Sequence, residues 1–347
     1  MKRNYPNSFL IACCFALLLA LAPQGQSQSH EEFDRGVASF QAGDYATAVE
    51  LLVQAEATAP GETDALLYEA KSLVHLKDFP GATTALNSYL SAHPDSADAL
   101  YLLGFVLHRQ NQPAESLRMY TKAAAHTTPT ADDLKIVGLD YILLNDYADA
   151  IHWFEKAVEL DAKNKDAWYY LGRANYTRGR LTEARRAFST VLEIDARDSR
   201  AENNLGLILE TEGQPAAAIE AYRRAIAWQE QSSQINEQPY VNLGNLLMEQ
   251  GQTKDAATFL EKAVSLAPNN AFCHIKLGVY YRETGQLQSA QRELENATRL
   301  EPDNAAAHYQ LGRVYKEMHR LDWAKKEFDR TAELQSRAAA PLPTTPR

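Results

Sequence analysis

Nine histidines, three cysteines and a few paired carboxylates are the side chains with which this chain of 347 residues could do acid–base, metal or nucleophilic chemistry. His274 and His308 lie 34 residues apart, a spacing that recurs along the chain and could make the two rings neighbours. That position ordinarily holds a packing side chain, so no metal centre is expected there. Cys273, beside His274, falls on the core side and is expected to be a buried, inert thiol. Asp132-Asp133 stands at the start of a helical segment, where negative charge complements the helix dipole. Catalytic carboxylates need a pocket, and no Walker loop, Rossmann glycine pattern, HExxH or GxSxG is present to supply one. The expectation is a protein without catalysis, metal or cofactor.

Function must then rest on surfaces. Apolar residues make up 45% and charged residues 23%, an ordinary foldable composition. Lys and Arg number 35 against 45 Asp and Glu, and this net charge of −10 argues against nucleic-acid binding, which needs a basic surface. Residues 1–27 carry the three parts of a secretory signal: Lys2 and Arg3, an apolar run from Phe9 to Ala22, and a small-residue cleavage region. That run of 14 residues is short of the roughly 20 that span a bilayer. Export to a bacterial periplasm or the medium is expected. Leu10-Ile11-Ala12-Cys13 is similar to a lipoprotein box, so anchoring through Cys13, or through an uncleaved 9–22 segment, is the alternative. Cleavage would raise the net charge to −12 and leave Cys273 as the sole thiol, so packing alone must hold the fold.

A period of 34 fills the rest. Gly36, Ala70, Gly104, Gly138, Gly172, Gly206, Gly244, Gly278 and Gly312 follow one another at steps of 34, except for 38 between Gly206 and Gly244. Twelve residues after each stands Ala48, Ala82, Ser116, Ala150, Ala184, Ala218, Ala256, Ala290 or Ala324. Four further on stands Leu52, Leu86, Tyr120, Phe154, Phe188, Tyr222, Leu260, Leu294 or Phe328. Trp168, Leu171, Gly172 and Asn175 share one helical face. Small residues let two helices approach, Gly43-Asp44 and Gly179-Arg180 mark turns, and Pro60, Pro94, Pro268 and Pro302 close units.

The pattern of Trp168-Tyr169-Tyr170-Leu171-Gly172, repeated in one register, resembles the tetratricopeptide repeat family. The resemblance implies an all-α, right-handed solenoid of antiparallel helix pairs. Nine repeats are read over 29–62, 63–96, 97–130, 131–164, 165–198, 199–236, 237–270, 271–304 and 305–338, followed by a disordered Pro-rich tail at 339–347. Glu32 and Arg35 suit an exposed end cap. The four extra residues, around Ser232 to Asn236, are expected to lengthen a turn and mark a bend or slight break.

In such proteins the first helix of each repeat lines a concave face, where the resemblance places repeat positions 2, 5, 9 and 12. This selects Tyr101, Phe105, His108, Lys135 and Leu139, then Tyr169, Arg173 and Tyr176. Asn203, Val241, Asn245, Ile275, Arg282, Tyr309, Arg313 and Lys316 continue the set. Tyr and Arg are the residue types in which binding energy concentrates. The implied function is a non-catalytic scaffold for a protein or peptide, with no small-molecule substrate. A membrane-associated assembly factor and a regulatory or substrate-presenting subunit of an exported enzyme complex are the alternatives. Repeats 1 to 4 hold 21 acidic and 9 basic residues, repeats 5 to 9 with the tail 24 of each, so the later groove is expected to receive an extended or acidic peptide. The family's carboxylate clamp is not matched, because Leu139 stands where Lys135 would need an Asn partner.

Overall fold

The computed structural model describes residues 28–61, 64–232 and 235–339. The signal reading of 1–27 and the tail reading of 340–347 lie outside the described residues. Among the described residues there is no strand, and 18 helices follow one another. They are α1 (28–41) and α2 (Tyr45–Thr58), α3 (Ala65–His75) and α4 (Phe79–Ala92), α5 (Ala97–Arg109) and α6 (Pro113–Ala124). Next come α7 (Ala131–Leu143) and α8 (Tyr147–Leu160), α9 (Lys165–Thr177) and α10 (Leu181–Ile194), α11 (Ser199–Thr211) and α12 (Pro215–Gln229). The last are α13 (Gln238–Glu249) and α14 (Thr253–Leu266), α15 (Ala271–Glu283) and α16 (Leu287–Leu300), α17 (Ala305–Glu317) and α18 (Leu321–Ala339). Ala339 therefore ends a helix rather than opening the tail.

The helices start and stop where the chain supplies the chemistry. Ser96, Thr130, Asn164, Asp198, Asn270 and Asn304 each accept a hydrogen bond from a first-turn backbone N–H of the helix that follows. These caps recur with the period itself. Thr130 and Asp133 complete a reciprocal capping box. First helices end on a left-handed residue, a glycine in five repeats and Lys77 (φ 63°), Asn111 (φ 60°), Asn145 (φ 60°) or His319 (φ 58°) in the other four.

Packing explains the glycine period more closely than its spacing could. The first-helix glycine faces the large side chain of the second helix, not its alanine. A Cβ built on Gly138 would lie 2.6 Å from the Phe154 ring, and one on Gly104 2.8 Å from the Tyr120 ring. Phe154, Leu52 and Leu260 are buried there, each contributing about 1.5–3 kcal/mol by removal from water. The small residue twelve positions on is buried in every repeat.

Contacts divide the chain into two compact units, one ending at Arg178 and the other starting at Gly179. In each, consecutive helices pack on one another as a solenoid does. The four-residue insertion does not break its unit. One apolar cluster runs from Ala218 through Tyr240 and Leu260 to Tyr280, across the insertion. Gln229, 1% exposed, clamps it: its Nε2 donates to the Asn236 carbonyl at 3.0 Å, and its Oε1 accepts from the Asn236 N–H at 3.3 Å. The Tyr240 hydroxyl donates to Glu230 at 2.7 Å across the same turn.

Candidate functional site

The first helices α3, α5 and α7 of the first unit stand side by side around a cleft of about 570 Å³. Its walls carry Lys71 from α3, Asp98, Tyr101 and Phe105 from α5, and Asp132, Asp133 and Lys135 from α7. Lys71, Asp98 and Asp132 follow from the same spacing rule that selects Tyr101 and Phe105. Tyr120, from the second helix α6, forms the base at 5% exposure. Its ring lies 5.8 Å from that of Tyr101, whose hydroxyl donates to the Thr127 carbonyl at 2.7 Å. Lys135 Nζ donates to Asp132 at 2.6 Å and Asn164 Nδ2 to the same oxygen at 3.0 Å, which together hold the Asp132 carboxyl below its ordinary pKa. Burial, then the carboxylates of Asp133 and Asp140, push the Tyr120 phenol well above its own.

Directly behind the cleft is a buried polar cluster. Asp140 and Ser116 are both fully buried, and His108 is partly so. His108 Nδ1 lies 2.7 Å from Asp140 Oδ1, while Ser116 Oγ lies 2.5 Å from Asp140 Oδ2 and 2.8 Å from the Gly104 carbonyl. A hydroxyl has one proton, so Ser116 serves these two acceptors alternately. The three residue types are those of a hydrolase triad, but the order is wrong. The carboxylate sits between the serine and the imidazole, so the imidazole cannot take the serine proton. The cluster ties α5, α6 and α7 together, and Ser116 stands there instead of alanine because Asp140 needs a donor.

The remaining residues selected from the sequence scatter. Tyr169 is half-buried, edge-on to Tyr170 at 5.5 Å, and Tyr176 is half-buried. Arg173 is exposed beside a smaller hollow of about 110 Å³ with Leu139 and Tyr170. In the second unit Asn245 accepts from Lys276 Nζ and donates to Glu249, both at 2.8 Å. Tyr309 is 47% exposed, Arg313 half-buried and Lys316 exposed. Four selections are corrected. Asn203 is 4% exposed and accepts from Asn242 Nδ2 at 2.9 Å, a lateral bond between repeats. Arg282 is 8% exposed and donates to Glu317 at 3.1 Å and Glu283 at 3.2 Å, so its charge is consumed within the fold. Val241 and Ile275 are core residues.

The histidine pair is likewise occupied. His274 Nδ1 lies 2.7 Å from Glu293 and its Nε2 2.9 Å from the Pro268 carbonyl. His308 repeats this with Glu327 at 2.6 Å and the Pro302 carbonyl at 3.0 Å. Both nitrogens of each ring therefore face a protein oxygen at hydrogen-bond distance, which occupies the two positions a metal would use. Cys273 is fully buried, and burial, with the nearby Glu237 charge, pushes its thiol up to about 12.

Family models described as tetratricopeptide repeat match residues 39–104, 97–120, 138–199, 179–234 and 209–274, and one described as TPR repeat matches 280–318. A comparison with curated proteins gave no match. Among solved structures, a tetratricopeptide repeat protein from Parabacteroides merdae ATCC 43184 is 20% identical, covering 73% of this chain and 99% of its own, with a TM-score of 0.58. The Cut9-Hcn1 hetero-tetramer of APC/C aligns at 18% identity over 90% of this chain and 67% of the other, also with a TM-score of 0.58. MamA is 24% identical over 47% of this chain and 95% of its own, with a TM-score of 0.44. At such identities the first two speak for the fold alone. Period, packing and family models agree, and the chain belongs to the tetratricopeptide repeat family.

Proposed function

We propose that the chain is an exported, non-catalytic scaffold that holds an extended segment of a partner protein on the face formed by its first helices. The cleft of α3, α5 and α7 carries this reading, because Tyr101 and Phe105 offer half-buried aromatic surface with polar groups around it. Such surface gains when a partner covers it. The family supports the reading as well, since stacked helical repeats present extended binding surfaces. Quantitative affinity capture from the producing cell, with wild type and a Tyr101→Ala/Phe105→Ala double variant, tests it. A partner held by wild type and lost by the variant is the expected outcome; identical capture by both would sink the cleft as the binding surface. The Leu10-Ile11-Ala12-Cys13 run favours a second reading, a lipid-anchored assembly factor. Mass spectrometry of the mature N-terminus separates the two, a cleaved end near residue 27 supporting release and a lipidated Cys13 supporting the anchor.

A further inference from the structure

The floor of the cleft holds a hydroxyl that the fold leaves idle. At the equivalent position of another repeat, the Tyr222 hydroxyl donates to Glu210 at 2.7 Å. In the cleft the residue matching Glu210 is His108, and His108 is turned to Asp140. The Tyr120 hydroxyl consequently has no hydrogen-bond partner among the described residues, although its side chain is 5% exposed and lines the cleft. The ring is buried while the hydroxyl, unpaired within the fold, stays open to the cleft, so it is free to hydrogen-bond a ligand group that enters there.

The charge around it selects the ligand. Lys135 is spent on Asp132, and Lys71 lies over the Tyr68 ring at 4.9 Å. Asp98, exposed in the first turn of α5, and Asp133, half-buried at the start of α7 with its Oδ2 held by the Thr130 N–H and hydroxyl, also line the cleft. The carboxylates of Asp133, Asp140 and Asp132 all act on the Tyr120 phenol, so the floor favours a cation over an anion. The same sign extends outward: residues 28–178 carry 22 Asp and Glu against 12 Lys and Arg, which steers a positive partner to this unit.

We propose that this cleft takes an arginine or lysine side chain from an extended, basic segment of the partner, its aliphatic stem against Tyr101 and Phe105 and its head donating to Tyr120 and the Asp98 and Asp133 carboxylates. This rests on the scaffold reading above and concerns the acidic first unit, whereas the acidic peptide expected from the sequence concerned the later groove. Aromatic walls add a cation–π component for such a head.

The test uses the full chain and fluorescein-labelled ten-residue peptides alternating Gly with Arg, Gln or Glu, read by fluorescence anisotropy. The Arg peptide is expected to bind tightest, the Glu peptide weakest, with affinity for the Arg peptide falling as salt rises. Tyr120→Phe keeps the ring against Gly104 and should weaken the Arg peptide about tenfold with unchanged thermal unfolding. Asp98→Asn should weaken it roughly fivefold. Equal affinity of wild type and both variants for the Arg peptide overturns the proposal. Tighter binding of the Gln or Glu peptide, lost on Tyr101→Ala, overturns the basic partner and leaves the scaffold reading standing. Self-association that Tyr101→Ala abolishes, and that the Arg peptide does not disperse, assigns the cleft to a second copy and also overturns it. If no peptide binds and the capture experiment also finds no cleft-dependent partner, both readings fall together.

Discussion

Ser116 shows how one atom can decide a position. The other repeats put alanine there, and a serine in a buried helix crossing would ordinarily be a burden. Asp140 changes the balance, because its buried carboxylate needs the hydroxyl as well as His108. Ser116→Ala, the residue used elsewhere, should therefore lower stability by about 1–3 kcal/mol, measured by urea unfolding. A stabilised variant would mean that the hydroxyl is not Asp140's donor. The same scale governs Cys273. With its pKa pushed up to about 12 it holds almost no thiolate at pH 8, so maleimide should leave Cys273 unlabelled in the folded chain and modify it in 6 M guanidinium, as read by peptide mass spectrometry. Arg282 and Asn203 mark where sequence reading stopped at this scale. Their spacing is that of surface positions, but the partners that bury them, Glu317 and Asn242, lie a whole repeat away. A pattern within one repeat carries no information about which neighbour reaches across. Tyr101 and Phe105 keep part of their surface in the cleft, as their spacing suggests, and Tyr120 was hidden because it reads as one more core aromatic.

Helices and their ends were the most legible part, since backbone geometry demands particular residues there. Of the four left-handed residues that are not glycine, two are asparagines, and the other two, Lys77 and His319, make the rule testable. Their conformation is strained for a side chain with a Cβ, and His319→Gly should stabilise the fold by about 1 kcal/mol, read as a higher urea midpoint. Gly138→Ala should do the opposite and cost about 1–3 kcal/mol or more. The added methyl would stand 2.6 Å from the Phe154 ring, and a ring in a packed crossing can yield only by displacing its neighbours. The insertion was read as a weak point because extra length in a turn usually is one. Its Gln229 clamp could not be foreseen, as glutamine is rarely a core residue.

For the molecule as a whole, several raised phenols and one thiol tie the stability of the fold to alkali. The Tyr89, Tyr240 and Tyr281 phenols are raised from 10 to about 12, by burial first and then by hydrogen bonds to Asp64, Glu230 and Glu261. Cys273 rises from 9 to about 12. In each case the folded chain keeps a proton that the unfolded chain releases. Their contribution is complete below about pH 9 and is lost progressively as pH rises toward 12. The urea midpoint followed by circular dichroism should be flat from pH 7 to about 9 and fall beyond it. A flat profile through pH 11 would mean that these groups are more hydrated than their burial implies.

The histidine bonds of α15 and α17 carry a consequence of another kind. His274, Glu293 and Pro268 are copied 34 residues on as His308, Glu327 and Pro302, and the cap Asn270 is copied as Asn304. Excision of residues 271–304 joins Asn270 to Ala305, and Pro268 then precedes His308 by six residues, as Pro302 does in the intact chain. The splice heals itself: the old cap serves the new helix and the old carbonyl receives the new imidazole. A chain shortened by one such cassette should fold as a shorter stack, whereas a cut of any other length would leave the seam without its cap and its acceptor.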